Sequence, residues 1–189
     1  MPTPPPPDFA NLSLAEIARL VAEQKLPPVD KWNPAHCGHS DMRIARDGTW
    51  YHQGSPIGRT AMVKLFSTIL RREPDGSFVL VTPVEKLDIE VEDAPFQAVE
   101  LKIEGSDTEM RLAFRLNTDE LVTAGSDHPL RFDGTRPYLH VRGGLEALVN
   151  RAVYYELAQI ALSNGSEPPG LWSNGAFFPF DTQDPEADA

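Results

Sequence analysis

The chain has 189 residues, of which 24% are charged, and its formal net charge at pH 7 is −11. This length suits one domain or two small ones, and the single cysteine, Cys37, excludes an internal disulfide framework. The acidic balance disfavours general binding to nucleic acid or to anionic membranes, because both attract positive surfaces. The sequence has no basic-then-apolar leader and no long apolar run, so we expect a cytoplasmic protein.

Both ends of the chain have the composition of disordered tails, because residues 1–8 are rich in proline and residues 181–189 are mostly acidic and polar. Residues 12–25 predict a helix. Ser13 can cap its start, and Glu16 stands three residues later as the partner of a capping box. An apolar stripe follows the helical period: Leu14, Ile17, Ala18 and Val21.

Residues 42–72 predict a strand, a turn at Asp47-Gly48, a second strand and a helix. Gly54-Ser55-Pro56 offers a turn, a hydroxyl that can cap the helix and a proline suited to its first position. Six basic residues and one acidic residue make this hairpin-helix unit a cationic region in an acidic chain.

The middle of the chain alternates apolar and polar residues, which predicts antiparallel strands with one solvated face. The predicted strands are 78–81, 87–91, 98–104 and 110–116. Residues 117–130 predict a loop with a short strand at most, and Leu145 to Leu162 predicts the longest helix. An aromatic-rich extended segment then closes the chain before residue 181.

The hairpin-helix unit is predicted to recur near the C-terminus. Asp133-Gly134 repeats Asp47-Gly48, and setting Arg151 on Arg59 aligns two pairs of leucines in the helices that follow. We therefore predict an α+β fold of antiparallel sheets and helices with internal duplication of this unit. The N-terminal half would span residues 9–96 and the C-terminal half residues 97–180.

Helix starts can bind anions, since they offer free backbone N–H groups and a partial positive charge that glycine and arginine complement. Gly54, Ser55 and Arg59 supply these parts once, and Arg142, Gly143, Gly144 and Arg151 supply them again. Ordinary turns and ion pairs would also explain them, and no Walker loop or GxGxxG fingerprint is present. The predicted ligand contacts are Arg43, Arg46, Arg59, Arg142 and Arg151, the hydroxyl of Ser55, and the stacking rings of Trp50, Tyr51, Tyr154 and Tyr155.

The leading hypothesis is thus a non-catalytic module that holds a phosphate-bearing molecule between its halves. An enzyme is the alternative: Cys37, His39 and Asp41 could serve a small hydrolase or a redox enzyme if a histidine lowers the pKa of the thiol. A metal site is not expected there, because no second His or Cys pair exists, and no cofactor is predicted. A protein-interaction module, using a sheet edge or residues 90–93, is the third reading.

Several longer motifs together carry a resemblance to a known family. They are His36-Cys37-Gly38, Asp41 to Ala45, Asp47-Gly48-Thr49-Trp50, Gly54-Ser55-Pro56-Ile57, Leu65-Phe66-Ser67, Ile69-Leu70, Val81 to Lys86 and Val91 to Phe96. In these residues the chain resembles the bacterial family of domain of unknown function 1285. The resemblance implies a duplicated α+β core whose C-terminal half is similar to pleckstrin-homology-like folds. It also implies a nucleotide-based ligand between the halves and a role in signal transduction, with no established reaction.

Overall fold

The computed structural model describes residues 26–180 and, before them, residues 13, 15, 16, 19 and 23. The predicted capping box is confirmed: the Glu16 N–H donates to Ser13 Oγ at 3.2 Å, and the Ser13 N–H donates to Glu16 Oε2 at 2.7 Å. The apolar stripe of this helix and both predicted tails lie outside the described residues. Within the described residues, no helix is long and apolar enough to cross a membrane.

The first half is a six-stranded sheet with the order β3-β2-β1-β6-β5-β4. Its strands are β1 (His36–Ile44), β2 (Trp50–His52), β3 (Ser55–Pro56), β4 (Leu70–Arg72), β5 (Phe78–Val81) and β6 (Glu85–Val91). Helix α1 (Thr60–Thr68) connects β3 to β4, and a 3-10 turn (Val29–Lys31) precedes the sheet. The central pair, β1 and β6, is parallel, while the other pairs are antiparallel.

The second half is another six-stranded sheet, with the order β10-β11-β12-β7-β8-β9. Its strands are β7 (Phe96–Glu104), β8 (Arg111–Leu116), β9 (Leu121–Thr123), β10 (Leu130–Phe132), β11 (Pro137–Arg142) and β12 (Leu145–Val149). A 3-10 turn (Asp107–Glu109) lies between β7 and β8. Helix α2 (Arg151–Ser163) follows β12, and a separate hairpin of β13 (Gly170–Ser173) and β14 (Ala176–Pro179) closes the chain.

The two sheets have the same topology, which is consistent with internal duplication. In each, the first and last of the six strands pair in parallel at the centre, and antiparallel strands flank them in the same order. Strand β7 therefore corresponds to β1, and β12 corresponds to β6. On this correspondence, the Asp133-Gly134 turn between β10 and β11 matches Asp75-Gly76 between β4 and β5, whereas Asp47-Gly48 lies between β1 and β2.

The predicted alignment of Arg151 on Arg59 is wrong for the same reason. Helix α1 lies between the third and fourth strands of its sheet, whereas α2 follows the sixth strand of the other, so the helices are not equivalent. The predicted long helix from Leu145 is also wrong in its first turns, which form β12 and pair in parallel with β7. A short apolar run such as Leu145–Val149 fits either structure, and pairing with a distant strand decides it. Sheet predominates over helix in the described residues.

A single hydrophobic core joins the two sheets. One cluster of buried residues contains Trp50 and Leu70 of the first half together with Phe96, Phe114 and Leu139 of the second. All five side chains are at most 2% exposed. Burial on this scale supplies much of the favourable free energy of folding, so this shared core stabilises the contact between the halves.

Candidate ligand-binding cavity between the two halves

Polar contacts complete the interface between the halves. The Arg142 guanidinium binds the Glu120 carboxylate, donates to the Ser67 carbonyl at 3.0 Å and lies 5.3 Å from the centroid of the Phe96 ring. Lys64 of α1 pairs with Asp119 of the second half. These bonds use side chains of both halves, so they hold the two sheets in one orientation.

A cavity of about 230 Å³, here called the interface cavity, lies where the halves meet. Strands β4 and β5, the connecting segment 93–95, and strands β10, β11 and β12 with their turns all contribute to it. Its charged lining consists of Arg72, Asp93, Arg131, Asp133 and Glu146, and Phe78 and Tyr138 add aromatic rings.

Most of these charges are already neutralised within the protein. Arg131 donates to both Glu146 oxygens, at 3.0 Å and 2.9 Å, and this bond raises the pKa of Arg131 above its ordinary value. Asp93 accepts from Arg136 Nη1 and from the Tyr138 hydroxyl, both at 2.8 Å. Burial and the bond to Asp93 raise the pKa of Tyr138 to about 12, so its hydroxyl remains a donor at neutral pH.

Arg72 differs from the other arginines that line cavities. Its Nη1 donates to the Gly144 carbonyl at 3.2 Å, its guanidinium lies 5.7 Å from the Phe78 ring centroid, and no carboxylate among the described residues pairs with it. The other cavity-lining arginines each bind a carboxylate: Arg43 with Glu92, Arg71 with Glu73, Arg131 with Glu146, and Arg142 with Glu120. Of these arginines, Arg72 alone has no ion pair with a described residue, and its side chain is exposed.

Asp133, at the rim of the interface cavity, accepts the backbone N–H groups of Thr135 at 3.0 Å and Arg136 at 2.6 Å. Burial acts to raise the pKa of Asp133, but these bonds outweigh it and lower the pKa below its ordinary value of 3.8. A depressed pKa in the folded state stabilises the fold above that ordinary value and loses the effect as the pH falls through the folded-state pKa. We expect D133N to be less stable than wild type at neutral pH, with the difference shrinking below pH 3.8.

Urea unfolding of both proteins between about pH 7 and about pH 2.5 measures this difference. D127N is the matched control, because the Asp127 side chain makes no hydrogen bond among the described residues. A stability difference between wild type and D133N that stays constant down to the lowest pH would contradict the prediction.

The structure brings two of the predicted ligand residues together, but in the first half rather than at the interface. Arg43 lies 4.4 Å from the Tyr51 ring centroid and pairs with Glu92 at 2.6 Å. Both line a larger cavity of about 550 Å³ beside β1 and β6. The neighbouring Trp50 is only 2% exposed and belongs to the core, so the prediction that it stacks on a ligand is wrong.

The remaining predicted contacts are dispersed. Arg142 is at the interface, where its guanidinium is bound to Glu120 and Ser67. Arg46, Arg59 and Arg151 are exposed, Tyr155 is 54% exposed, and Tyr154 packs 5.6 Å from the Phe180 ring. Two further cavities at the interface have volumes of about 220 Å³ and 180 Å³, and Arg142 lines the first of them. Neither of these cavities, nor the interface cavity or the larger cavity, is lined by Arg46, Arg59, Arg151, Tyr154 or Tyr155.

The two predicted helix-start anion sites do not form. Gly54 lies in the turn between β2 and β3, and Ser55 pairs with His52 in the sheet, whereas α1 starts only at Thr60. Gly143 and Gly144 have φ values of 54° and 80° and make the two-residue turn between β11 and β12. Positive φ at both central residues explains the glycine pair without a ligand.

The residues of the enzyme alternative do not assemble as predicted. His39 Nδ1 lies 2.6 Å from Asp88 Oδ2, whereas the exposed Cys37 contacts the Ala35 carbonyl at 4.0 Å. No contact between Cys37 and His39 is found in the described part of the chain. Nor do the described residues include a group of three or more His, Cys, Asp or Glu side chains that could hold a metal ion.

Two topologically equal sheets that share one core, with a polar cavity between them, define a duplicated two-sheet protein. The chain belongs to the DUF1285 family. Residues 27–94 match "Domain of unknown function (DUF1285), N-terminal domain", and residues 95–180 match "Protein of unknown function (DUF1285), C-terminal domain". The resemblance seen in the sequence motifs is thereby confirmed.

Solved structures of the same family share the fold. A DUF1285 family protein from Silicibacter pomeroyi DSS-3 is 45% identical with a TM-score of 0.76, over 88% of this chain and 93% of that one. A DUF1285 family protein from Shewanella baltica OS155 is 26% identical with a TM-score of 0.51, over 66% of this chain and 96% of that one. The curated proteins include no match to the sequence.

Proposed function

We propose that this protein is a non-catalytic binding module that holds a phosphate-bearing, nucleotide-like molecule between its two halves. The observation that carries the proposal is Arg72, which lines the interface cavity without a carboxylate partner among the described residues. A guanidinium binds phosphate through several N–H donors at once, and the Arg72 side chain is exposed, so these donors are accessible to a ligand. In this proposal Arg72 has the phosphate-binding role that the sequence had suggested for Arg59 and Arg151 at the helix starts.

The size of the cavity limits what it can enclose. Its volume of about 230 Å³ is smaller than the usual 300–1,000 Å³ of sites for drug-sized ligands. It therefore encloses the phosphate and the group next to it, while the rest of a nucleotide extends over the surface. The Phe78 ring beside Arg72 provides an apolar wall for that part of the ligand.

A signalling role fits this arrangement through the turn that Arg72 holds. A phosphate on Arg72 competes with its bond to the Gly144 carbonyl, so ligand binding changes the β11–β12 turn without moving the sheets. The proposal includes the similarity of the C-terminal half to pleckstrin-homology-like folds that the sequence resemblance implies, and a sheet followed by helix α2 supports it. The exposed thiol of Cys37 supports a reducing compartment such as the cytoplasm.

Titration of the protein with inorganic phosphate and with a nucleoside monophosphate tests the proposal by calorimetry and thermal shift. Wild type should bind both, and R72Q should lose about tenfold to a hundredfold in affinity, as expected when a charged hydrogen-bonding partner is removed. R111Q is the matched control, because Arg111 is exposed on β8 and makes no ion pair with any described residue. No binding by wild type, or equal binding by wild type and R72Q, would overturn the proposal.

A further inference from the structure

The larger cavity of about 550 Å³, here called the bulge cavity, lies wholly in the first half and has no part in the function proposed above. From its lining we infer that it binds a free α-amino acid with a basic side chain, such as arginine. Three charged groups carry the inference: Arg43 for the carboxylate, Glu90 for the α-ammonium group and Asp41 for the basic side chain.

A break in the strand pairing creates the cavity. His39 pairs with Asp88 and Arg43 pairs with Glu90, so three residues of β1 face a single residue of β6. Asp41 lies in this bulge with a φ of 55°. The corresponding strands of the second sheet, β7 and β12, pair from Phe96 to Ala98 without any shift. The bulge cavity is therefore a feature of one repeat only, and bulges commonly aim side chains at functional sites.

Two groups of opposite charge stand side by side in this cavity. Arg43 and Glu90 are partners across adjacent strands, which are about 4.8 Å apart. Arg43 uses Nη1 to bind Glu92, which leaves its other N–H donors available, and the Glu90 carboxylate has no hydrogen bond or ion pair with any described residue. The carboxylate and ammonium groups of an α-amino acid are also close neighbours, so one ligand can satisfy both residues.

The other acidic residues of the lining determine which amino-acid side chain the cavity can bind. The Asp41 carboxylate has no bonding partner in the described part of the chain, whereas the Asp88 carboxylate is bound to His39. With Arg43 as the only arginine of the lining, Asp41 and Glu90 leave a net negative charge. An amino acid with a cationic side chain balances this negative charge, whereas an amino acid with a neutral side chain does not. Asp41 and Glu90 are exposed, so the ligand lies in a groove that is open to solvent.

Calorimetric titration with arginine and three analogues tests each contact. Agmatine lacks the carboxylate, N-acetylarginine lacks the α-ammonium group, and norvaline lacks the guanidinium. Wild type should bind arginine and should bind each analogue at least about tenfold more weakly. If arginine does not bind, the inference fails as a whole, and if norvaline binds as well as arginine, the basic specificity is wrong.

The variants D41N and E90Q test the protein side of the same contacts. Each should weaken arginine binding by about tenfold or more and leave the circular dichroism spectrum unchanged. Asparagine tolerates positive φ as well as aspartate does, so D41N keeps the bulge. D107N is the matched control, since Asp107 is exposed with a φ of 53° but lies in the second half. Arginine affinity that is equal in wild type, D41N and E90Q would overturn the inference, and phosphate binding at Arg72 would be unaffected by that result.

Discussion

Replacing Arg142 with alanine is expected to lower the free energy of unfolding by about 2 to 3 kcal/mol, between the costs of breaking an exposed and a buried ion pair. Arg142 and Glu120 side chains are 22% and 14% exposed. The change leaves the Glu120 carboxylate inside the interface without its cation, and it removes the donor to the Ser67 carbonyl. Urea unfolding at neutral pH, followed by tryptophan fluorescence and circular dichroism, measures the loss.

Two comparisons separate the ion pair from simple loss of side-chain volume. Arg131 is 52% exposed in its pair with Glu146, so R131A should cost only about 0 to 1 kcal/mol. The double variant R142M/E120L replaces both charges with apolar groups of similar size and should recover most of the stability lost in R142A. If R142A proves as mild as R131A and instead loses phosphate binding, Arg142 belongs to the ligand site as the sequence had suggested.

The strands of the middle of the chain could be predicted from sequence because their signal is local. The predicted strands 78–81 and 98–104 coincide with or lie within β5 and β7, and alternation of apolar and polar residues was sufficient to find them. The Asp47-Gly48 turn was found in the same way, from four adjacent positions. Residues within one strand or turn determine these features, so no knowledge of distant contacts was needed.

The arrangement of the strands was not predictable by the same means. The parallel pairs β1–β6 and β7–β12 join segments that are far apart in the chain, and their register depends on packing of the whole sheet. Two Asp-Gly turns look alike in sequence whether they follow the first strand of a sheet or the fourth. The sequence therefore indicates a repeat but does not determine how its two copies align.

The partners of the charged residues at the candidate site could not be predicted from the sequence either. Arg71 and Arg72 are neighbours in sequence, but successive strand residues point to opposite faces. Arg71 binds Glu73 and two backbone carbonyls, while Arg72 lines the interface cavity. The cationic region counted along the sequence is likewise divided in space, since Arg43 lines the bulge cavity and Arg72 lines the interface cavity. The alternation of side chains along the strand predicts that Arg71 and Arg72 lie on opposite faces of the sheet. It does not predict which of these faces contacts the second half.

Replacing Trp50 with alanine is expected to lower the free energy of unfolding by about 3 to 5 kcal/mol, the range for removing a large aromatic side chain from a core. Trp50 lies on β2, is 2% exposed and belongs to the cluster that joins both sheets. Its indole Nε1 has no hydrogen-bond partner among the described residues, so apolar packing is the main contribution of the side chain. Urea unfolding with a circular dichroism readout measures the loss, because the fluorescent group is itself changed.

Two further variants, W50F at the same position and Y51A at the next, distinguish packing from ligand contact. W50F keeps an aromatic ring and removes no hydrogen bond within the described structure, so it should cost well under half of the W50A effect. Tyr51 follows on the same strand but is only half-buried under Arg43, and Y51A should cost about 1 kcal/mol. If W50A instead unfolds like wild type and loses affinity for a nucleoside monophosphate, the ring is exposed to a ligand in solution. The shared core between the halves would then be looser than its burial indicates.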